Sequence, residues 1–428
     1  MYIPKINGYE LREHFSNCNL STVQTEGRLI AVNEKFLAMS WKNDNGIVIA
    51  DSSKPLNLKD YQPNIKGFSN LLDLEFSPFN NNILSFCDSS ITRNSVRLWK
   101  ISENELTKEM LNYKKHTKKV NFVNFNPVVP DLICSGALTG EIHVWNITKG
   151  EKFMELKADE TPTIVTWNPK GVLIGATTIK KNINIFDPRA KRKEPIHKQK
   201  INESFMGTSK FVWIDDNLFA TTSWDKDQKE LKIWDIREIT KSCEKKVISK
   251  SNNTSTLFVD RELKLLYITT KSETTINIYD YNEGIFKPKP SSKCNESIHY
   301  SVLFDRKCLD KKKLEIDKFA IYYKSKNIYY ISFTIQDKTS DIQNYYPSLD
   351  SKDNILTYEE WTKFKNIDSN KLNNIEDKIE IKEKKEKEKE KNNEIKKIQQ
   401  NENIQKEKNE KNLLSRVRKM NIKIKMKH

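Results

Sequence analysis

Residues 230–236 read ELKIWDI, a short run of alternating side chains that ends in tryptophan, aspartate and isoleucine. Successive side chains of a β-strand point to opposite faces, and both faces of this run carry apolar residues, which predicts a buried strand. Four further segments have the same shape: SVRLWKI (95–101), EIHVWNI (141–147), NINIFDP (182–188) and TINIYDY (275–281). GIVIAD (46–51) and NIYYISFTI (327–335) are weaker members. One repeated strand therefore organises most of the chain.

The aromatic residues of the five stronger runs recur at intervals of 46, 41, 48 and 45 residues; they are Trp99, Trp145, Phe186, Trp234 and Tyr279. Before each run lies another apolar strand that ends near a turn signal, as in VNFVNFNP (120–127). A period of about 40–45 residues with four strands and a Trp-Asp pair is typical of WD40 repeats, which close into β-propellers. Seven units predict an all-β, seven-bladed propeller over residues 1–335. An all-β fold of another topology is the alternative.

The composition is that of a basic chain. Its 428 residues carry a formal net charge of +16, which attracts polyanions such as nucleic acid, an acidic membrane or an acidic protein filament. The start, MYIPKINGYELREHF, lacks the apolar core of a signal peptide, and no apolar run is long enough to span a membrane. The six cysteines are scattered without C-x-x-C spacing, which fits a reducing cytosol and argues against zinc or disulfide frameworks.

Five segments, in order, resemble the coronin family. Three are GRLIAVNEKFLAMSW (27–41), LLDLEFSPFNNNIL (71–84) and KKHTKKVNFVNFNP (114–127). The two more specific ones are TTSWDKDQKELKIWD (221–235), which is similar to an extended coronin turn, and YPSLDSKDNILTYEEW (346–361), which is similar to the segment ending in L-T-x-E-E-W. The resemblance covers residues 20–366.

The resemblance implies a propeller, an extension folded back on it over residues 336–366, and then a linker and a short coiled coil. It implies a protein of the cytoplasm and the cortical cytoskeleton that binds, bundles and regulates actin filaments. No catalysis, cofactor, metal or small-molecule substrate is implied. The residues agree, because the sequence contains no phosphate loop, HExxH or G-x-S-x-G motif.

Eight cations are candidate filament contacts under this resemblance. Four flank His116 in one loop, two occupy a family Lys/Arg position, one follows the same blade and one precedes the first strand: Lys114, Lys115, Lys118, Lys119, Lys180, Lys181, Arg189 and Arg28. The alternative is that these are solvated side chains of a lysine-rich chain. Several coronins carry a filament-binding arginine where this chain has Asn19, so we expect binding to depend more on the loop lysines and the tail.

The last 62 residues divide into two parts. Residues 367–412 are rich in Lys and Glu, and i,i+4 pairs favour a linker or a solvated lone helix. Residues 413–428 place Leu413, Val417, Met420 and Ile424 at coiled-coil spacing, and RVRKMN (416–421) resembles a coronin trimer motif that begins with Arg416. We expect homo-oligomerisation there; contact with acidic membrane lipid is the alternative.

The apolar cluster in ILTYEEWTKFKN (355–366) predicts a docked segment. We expect Leu356, Tyr358 and Trp361 to bury apolar surface on a propeller face. The competing function is a WD40 scaffold that binds nucleic acid or ribonucleoprotein through its charge. Its basic tail has no aromatic residue after Phe364 to stack on bases, which favours the actin interpretation.

Overall fold

The computed structural model describes residues 6–42, 45–90, 95–102, 108–113, 115–201, 209–225, 227–281, 285–335, 346 and 355–363. These residues form 28 strands and one α-helix, α1, at Tyr358–Lys363. Short 3-10 turns lie at Pro188–Ala190, Ile236–Glu238, Arg306–Cys308 and Lys311–Lys313. The oligomerisation residues Leu413, Arg416, Val417, Met420 and Ile424, the linker 367–412 and Lys114 lie outside the described residues.

The strands follow one another in chain order: β1 Ile6–Ser16, β2 Ile30–Val32, β3 Phe36–Trp41, β4 Gly46–Asp51, β5 Leu56–Asn57, β6 Leu71–Phe76, β7 Ile83–Asp88, β8 Val96–Lys100, β9 Lys108–Tyr113, β10 Val120–Phe125, β11 Leu132–Ala137, β12 Glu141–Asn146, β13 Glu151–Lys157, β14 Pro162–Trp167, β15 Ile174–Thr178, β16 Asn182–Phe186, β17 His197–Lys200, β18 Lys210–Trp213, β19 Leu218–Asp225, β20 Gln228–Asp235, β21 Glu244–Ser249, β22 Ser255–Asp260, β23 Leu265–Thr270, β24 Thr275–Asp280, β25 Lys287–Lys293, β26 Ile298–Leu303, β27 Glu315–Tyr323 and β28 Ile328–Ile335.

Seven sheets form the blades. The first is β2-β3-β4, five follow as four-stranded meanders from β6-β7-β8-β9 to β22-β23-β24-β25, and the last runs β26-β27-β28-β1-β5. Strand β1 pairs antiparallel with β28, with Ile6 opposite Ile335, so the start of the chain supplies the fourth strand of the last blade. This pairing closes the ring and covers an otherwise open sheet edge. The predicted seven-bladed WD40 propeller is confirmed.

Each of the five stronger sequence runs is the third strand of its blade. Its aromatic residue links that strand to the second one, and in two blades the link is polar. The indole Nε1 of Trp145 donates to Ser135 Oγ at 2.8 Å, and that of Trp234 donates to Thr221 Oγ1 at 2.8 Å. In the fourth blade the same position is occupied by Phe186, which is fully buried and packs through apolar contact alone.

Two faces follow from the strand order. Because neighbouring strands are antiparallel, their connections lie alternately at opposite ends of a blade. The inter-blade face carries the loops between blades and those from second to third strands, including residues 115–119, 138–140 and 179–181. The extension face carries the remaining turns, including residues 126–131, 147–150, 168–173 and 187–196. The first strands of six blades, together with residues 19–29 ahead of β2, line a central cavity of about 1010 Å³.

Among the described residues, no helix has the length and apolar character needed to cross a membrane.

Candidate partner-binding surfaces

The lysine loop lies on the inter-blade face. Lys115 and Lys118 are exposed, whereas Lys119 is half-buried and lines the mouth of the central cavity. The backbone carbonyl of Lys119 accepts a hydrogen bond of 3.0 Å from the amide of Leu138. This bond attaches the loop to the turn between β11 and β12, so the cations project from a backbone that the propeller holds in place.

Exposed aliphatic side chains lie beside these cations. Leu138 is 41% exposed and Ile179 is 54% exposed. Thr161 connects them, because its hydroxyl donates to the carbonyl of Leu138 and its carbonyl accepts from the amide of Ile179 at 3.0 Å. Lys180 follows, and its exposed ammonium pairs with Glu160. We call Lys118, Lys119, Leu138, Ile179 and Lys180 the basic–aliphatic patch.

Lys181 has a different position from its neighbour Lys180. Its residue is only 3% exposed, and its φ of 63° places it in the left-handed region at the turn into β16. The Lys181 carbonyl accepts from the amide of Ile201 at 2.8 Å, which ties this turn to the end of β17. Burial lowers the pKa of Lys181. Lys181 therefore shapes the turn, and its ammonium is not presented at the surface.

Arg28 lies in the central cavity and joins an ion network. Its Nε contacts Asp73 Oδ1 at 2.9 Å and one terminal nitrogen contacts Glu75 Oε1 at 2.6 Å. Both carboxylates also reach the third blade, since they accept from the amides of Val123 and Phe125 at 2.9 and 2.6 Å. Burial opposes charge on Arg28, but Asp73 and Glu75 outweigh it and hold its pKa well above the ordinary value. This network fastens the first three blades together.

The extension face buries Trp361. Its indole Nε1 donates to the carbonyl of Gly171 at 2.7 Å, and its ring meets Phe153 and Trp167 edge-on at centroid distances of 5.4 and 6.1 Å. The side chain is fully buried. Leu356 adds a backbone hydrogen bond, in which its amide donates to the carbonyl of Val128 at 2.9 Å. The segment thus contacts two neighbouring blades through both side chain and backbone.

Arg189, a propeller residue, also contacts the buried ring of Trp361. Its guanidinium donates twice to Asp187, at 2.9 Å each, and lies 5.9 Å from the centre of the Trp361 ring. Its side chain is 8% exposed. The sequence suggested Arg189 as a filament contact beside Lys180. The structure instead places Arg189 on the extension face, where its guanidinium pairs with Asp187 and lies over the ring of Trp361.

Helix α1 is short, and a capping box begins it. Thr357 accepts from the amide of Glu360 at 3.2 Å, while Glu360 accepts from the Thr357 amide and hydroxyl at 2.8 Å each. Tyr358 packs edge-on against Phe153, and the ammonium of Lys149 lies 4.7 Å from the centre of its ring. The box fixes the first turn, which directs Trp361 inward while Glu360 stays exposed.

Sequence reasoning missed the turn that receives Trp361. Gly171 has a φ of 64°, and a Cβ there would lie 2.3 Å from Asn126 Oδ1. Asn126 Nδ2 donates to the Gly171 carbonyl at 2.7 Å, and its Oδ1 accepts from the amides of Val128 and Val129. One asparagine therefore holds together both turns that the extension touches. The Asn-Pro of VNFNP and the Asn-Pro-Lys-Gly at 168–171 were the available signals.

This chain is similar to known proteins in both sequence and structure. Residues 7–50 match a family model described as "Domain of unknown function (DUF1899)". The coronin-like protein crn1 of Schizosaccharomyces pombe is 23% identical over 368 residues, covering 81% of this chain and 59% of the relative. The coronin-like protein of Saccharomyces cerevisiae is 23% identical over 369 residues, covering 80% and 55%. Bovine coronin-2A is 21% identical over 359 residues, covering 78% and 66%.

A solved WD40 domain from Toxoplasma gondii coronin is similar in fold. It superposes with a TM-score of 0.76 at 24% identity, covering 86% of this chain and 96% of that domain. This chain spans 55–59% of the length of the two yeast relatives. Together these matches confirm the resemblance to the coronin family. The coronin family and the WD40 propeller are non-enzymatic scaffolds.

Proposed function

We propose that this coronin-like chain binds actin filaments through the basic–aliphatic patch of its inter-blade face. The coronin relatives support actin as the partner class. The observation that carries the proposal is the juxtaposition of Lys118 and Lys119 with Leu138 and Ile179, which are 41% and 54% exposed. Cations steer an acidic surface into place, and neighbouring aliphatic groups add burial once contact is made.

The ion pair of Lys180 with Glu160 is compatible with this use. Its lysine side chain is 62% exposed, and an ion pair exposed to solvent contributes little to stability. Lys180 can therefore exchange Glu160 for an acidic group of a partner at little cost. Such a contact weakens as salt rises, because salt screens exposed charges.

The alternative partner, nucleic acid, lacks a specific supporting observation. The large apolar side chains that the described residues expose are all non-aromatic: Leu56, Met110, Leu138, Ile179, Val247, Ile285 and Ile355. Single strands are bound by stacking bases on aromatic rings. The basic–aliphatic patch therefore suits a protein surface better than unpaired bases.

We further propose that the tail makes filament binding multivalent. Residues 413–428 carry the coiled-coil spacing of Leu413, Val417, Met420 and Ile424, preceded by a charged linker at 367–412. Oligomerisation there would give one particle several propellers, which is what cross-linking filaments requires. A basic end of this kind also suits acidic membrane lipid, which vesicle binding by the isolated full chain would reveal.

Co-sedimentation with filamentous actin tests the proposal. We expect the full chain to pellet with filaments at low salt and less at high salt. A chain that ends before Leu413 should still pellet with filaments at high speed but should no longer bundle them into low-speed pellets. Absence of pelleting at low salt, with RNA binding of steep salt dependence instead, would overturn the actin assignment.

A further inference from the structure

The central cavity opens on the inter-blade face, and its lining is strongly basic. Seven cations and two carboxylates line it: Arg28, Lys42, Lys119, Lys210, Lys271, Lys324, Lys326, Glu26 and Asp73. Both carboxylates are already paired, Asp73 with Arg28 at 2.9 Å and Glu26 with Lys210 at 2.6 Å. The lining therefore holds more positive charge than its own carboxylates neutralise.

Four of these lysines lie along one arc of the cavity rim. Lys271 follows β23 in the sixth blade, Lys324 and Lys326 occupy the β27–β28 turn of the last blade, and Lys42 follows β3 in the first blade. These three blades are neighbours in the ring. All four lysines are exposed, and none forms an ion pair within the part of the chain that the structure describes. We call them the cavity-rim lysines.

Backbone hydrogen bonds hold this arc in place where the last blade meets the first. The amide of Cys18 donates to the carbonyl of Lys326 at 2.8 Å, and the amide of Lys42 donates to the carbonyl of Asn19 at 2.8 Å. Two consecutive residues of the segment after β1 thus join both lysine turns. Because the turns are fixed before any ligand arrives, a ligand does not have to order them.

His299 lies between the lysines of the sixth and last blades. The carbonyl of Ile298, the preceding residue, accepts from the amide of Ser272 at 2.8 Å, which places His299 beside the turn that carries Lys271. Burial lowers the pKa of His299, and the charges of Lys271 and Lys324 lower it further. Two lysines therefore act together on one point of the cavity wall, where an anion would be attracted by both.

The cavity wall also offers neutral hydrogen-bond donors. The side chains of Thr22, Gln24, Thr254 and Thr256 line the cavity and are exposed. Hydroxyl, amide and ammonium groups all donate hydrogen bonds to phosphate oxygens, and lysine is a common phosphate ligand. The volume of about 1010 Å³ lies at the upper end of the range of small-molecule sites, about 300–1,000 Å³. A compact ligand with several charges therefore fits both the size and the chemistry.

We propose that the cavity-rim lysines bind a small molecule that carries several phosphate groups, the chemistry that soluble inositol polyphosphates share with phosphoinositide headgroups. A phosphate monoester carries a charge of about −1.5 to −2 at neutral pH and three acceptor oxygens. Two or three such groups neutralise the four lysines within one cavity, whereas carboxylates, with one charge each, would have to be more numerous. This binding does not require the proposed filament contact, which lies across the cavity on the third and fourth blades.

Inositol hexakisphosphate is the probe that tests the site on the full chain. We expect binding of one equivalent by calorimetry and a higher melting temperature, because a ligand that binds only the folded state stabilises it. Binding to the lysines of the tail would not raise the melting temperature of the propeller.

Lys324→Gln with Lys326→Gln should weaken this binding at least tenfold. The matched control is Lys264→Gln with Lys287→Gln, which removes the same charge from exposed lysines toward the extension face. Lys264 and Lys326 both have left-handed backbones, with φ of 54° and 66°. The control should bind the probe as the unaltered chain does. Thr256→Val removes one hydroxyl from the cavity wall and should weaken binding about fivefold.

Three outcomes would overturn the site. The first is a melting temperature of the unaltered chain that does not respond to the probe. The second is equal affinity of the two double variants, and the third is unchanged affinity of Thr256→Val, which would place the ligand outside the cavity.

Vesicles distinguish the two sources of the phosphate groups. The double variants are compared on phosphatidylcholine vesicles that contain phosphatidylinositol 4,5-bisphosphate. Loss of vesicle binding by Lys324→Gln with Lys326→Gln alone would assign a lipid headgroup to the cavity. Equal vesicle binding by both double variants, together with the expected response to the probe, would assign the cavity to a soluble polyphosphate.

Discussion

The two faces of the propeller are built from opposite turns of the same blades, and they differ in whether the chain covers them. On the extension face, residues 355–363 cover the turns of two blades, and Trp361 is fully buried there. On the inter-blade face of those blades, Leu138 and Ile179 remain exposed beside Lys118 and Lys119. Apolar surface covered by the chain itself contributes to stability. Apolar surface left open beside charge is available to a partner.

Mutations on the two faces should therefore have different effects. Changes on the extension face should loosen the fold, because they remove buried contacts. Changes in the basic–aliphatic patch should leave stability almost unchanged, since exposed substitutions usually alter it by no more than about 0.5 kcal/mol, and should alter binding instead.

Trp361→Ala should have the largest effect on stability. Removing a buried tryptophan typically costs about 3–5 kcal/mol, and here the Gly171 carbonyl also loses its indole donor. We expect faster hydrogen exchange over residues 355–363 and in the turns 126–131 and 168–173. Trp361→Phe keeps a ring without the N–H and should show a smaller increase. Unchanged protection in Trp361→Ala would show that the extension does not depend on this side chain.

Gly171→Ala should have the second-largest effect on stability. The added Cβ would meet Asn126 at 2.3 Å in a left-handed backbone, and such strain costs on the order of 1–3 kcal/mol. Gly150→Ala is the matched control, because its φ is similar at 68° but its Cβ would meet nothing within 4 Å. Chemical denaturation should rank Gly171→Ala below Gly150→Ala in stability. Equal losses would mean that contact with Asn126 is unimportant.

Thr357→Ala should have a smaller, local effect. It removes the side chain that caps α1 and holds Glu360, and the loss of a cap costs about 1 kcal/mol. Hydrogen exchange should rise within 355–363 and remain unchanged in the blades. Thr357→Ser keeps the hydroxyl and should restore protection; if it does not, the capping box is not what positions the helix.

Ile179→Ser should change stability least. The side chain is 54% exposed, so we expect a change within about 0.5 kcal/mol together with weaker filament binding. Thermal melting and co-sedimentation on the same preparation separate the two effects. A large loss of stability would show that Ile179 belongs to the core, and unchanged binding would remove it from the proposed contact.

The sequence predicted those parts of the fold that depend on local pattern. Alternation with period 2 located third strands such as ELKIWDI, because strand geometry imposes that period whatever the neighbouring blades contain. The apolar cluster around Trp361 stood out for a similar reason, since it interrupts a polar region. Local chemistry also explains α1, whose Thr357 and Glu360 are a recognisable capping pair.

The contacts and burial of single charged residues could not be predicted from such local patterns. Arg28 meets Asp73, which lies 45 residues away, and Arg189 meets Trp361 only after the extension folds back. Lys181 looks like Lys180 in the sequence, but the turn buries one and exposes the other. His116 Nδ1 comes within 3.5 Å of Glu141 Oε2 because the loop before β10 packs beside β12. Such contacts depend on strand register and blade closure.

The central claim is that the inter-blade face is the filament contact, and one paired measurement tests it directly. Lys118→Glu with Lys119→Glu is compared with Lys264→Glu and Lys287→Glu, two exposed lysines toward the extension face that give the same change in net charge. Co-sedimentation with filamentous actin across a salt series should show at least tenfold weaker binding for the first pair alone, with melting temperatures unchanged. Equal binding by the two double variants would contradict the account.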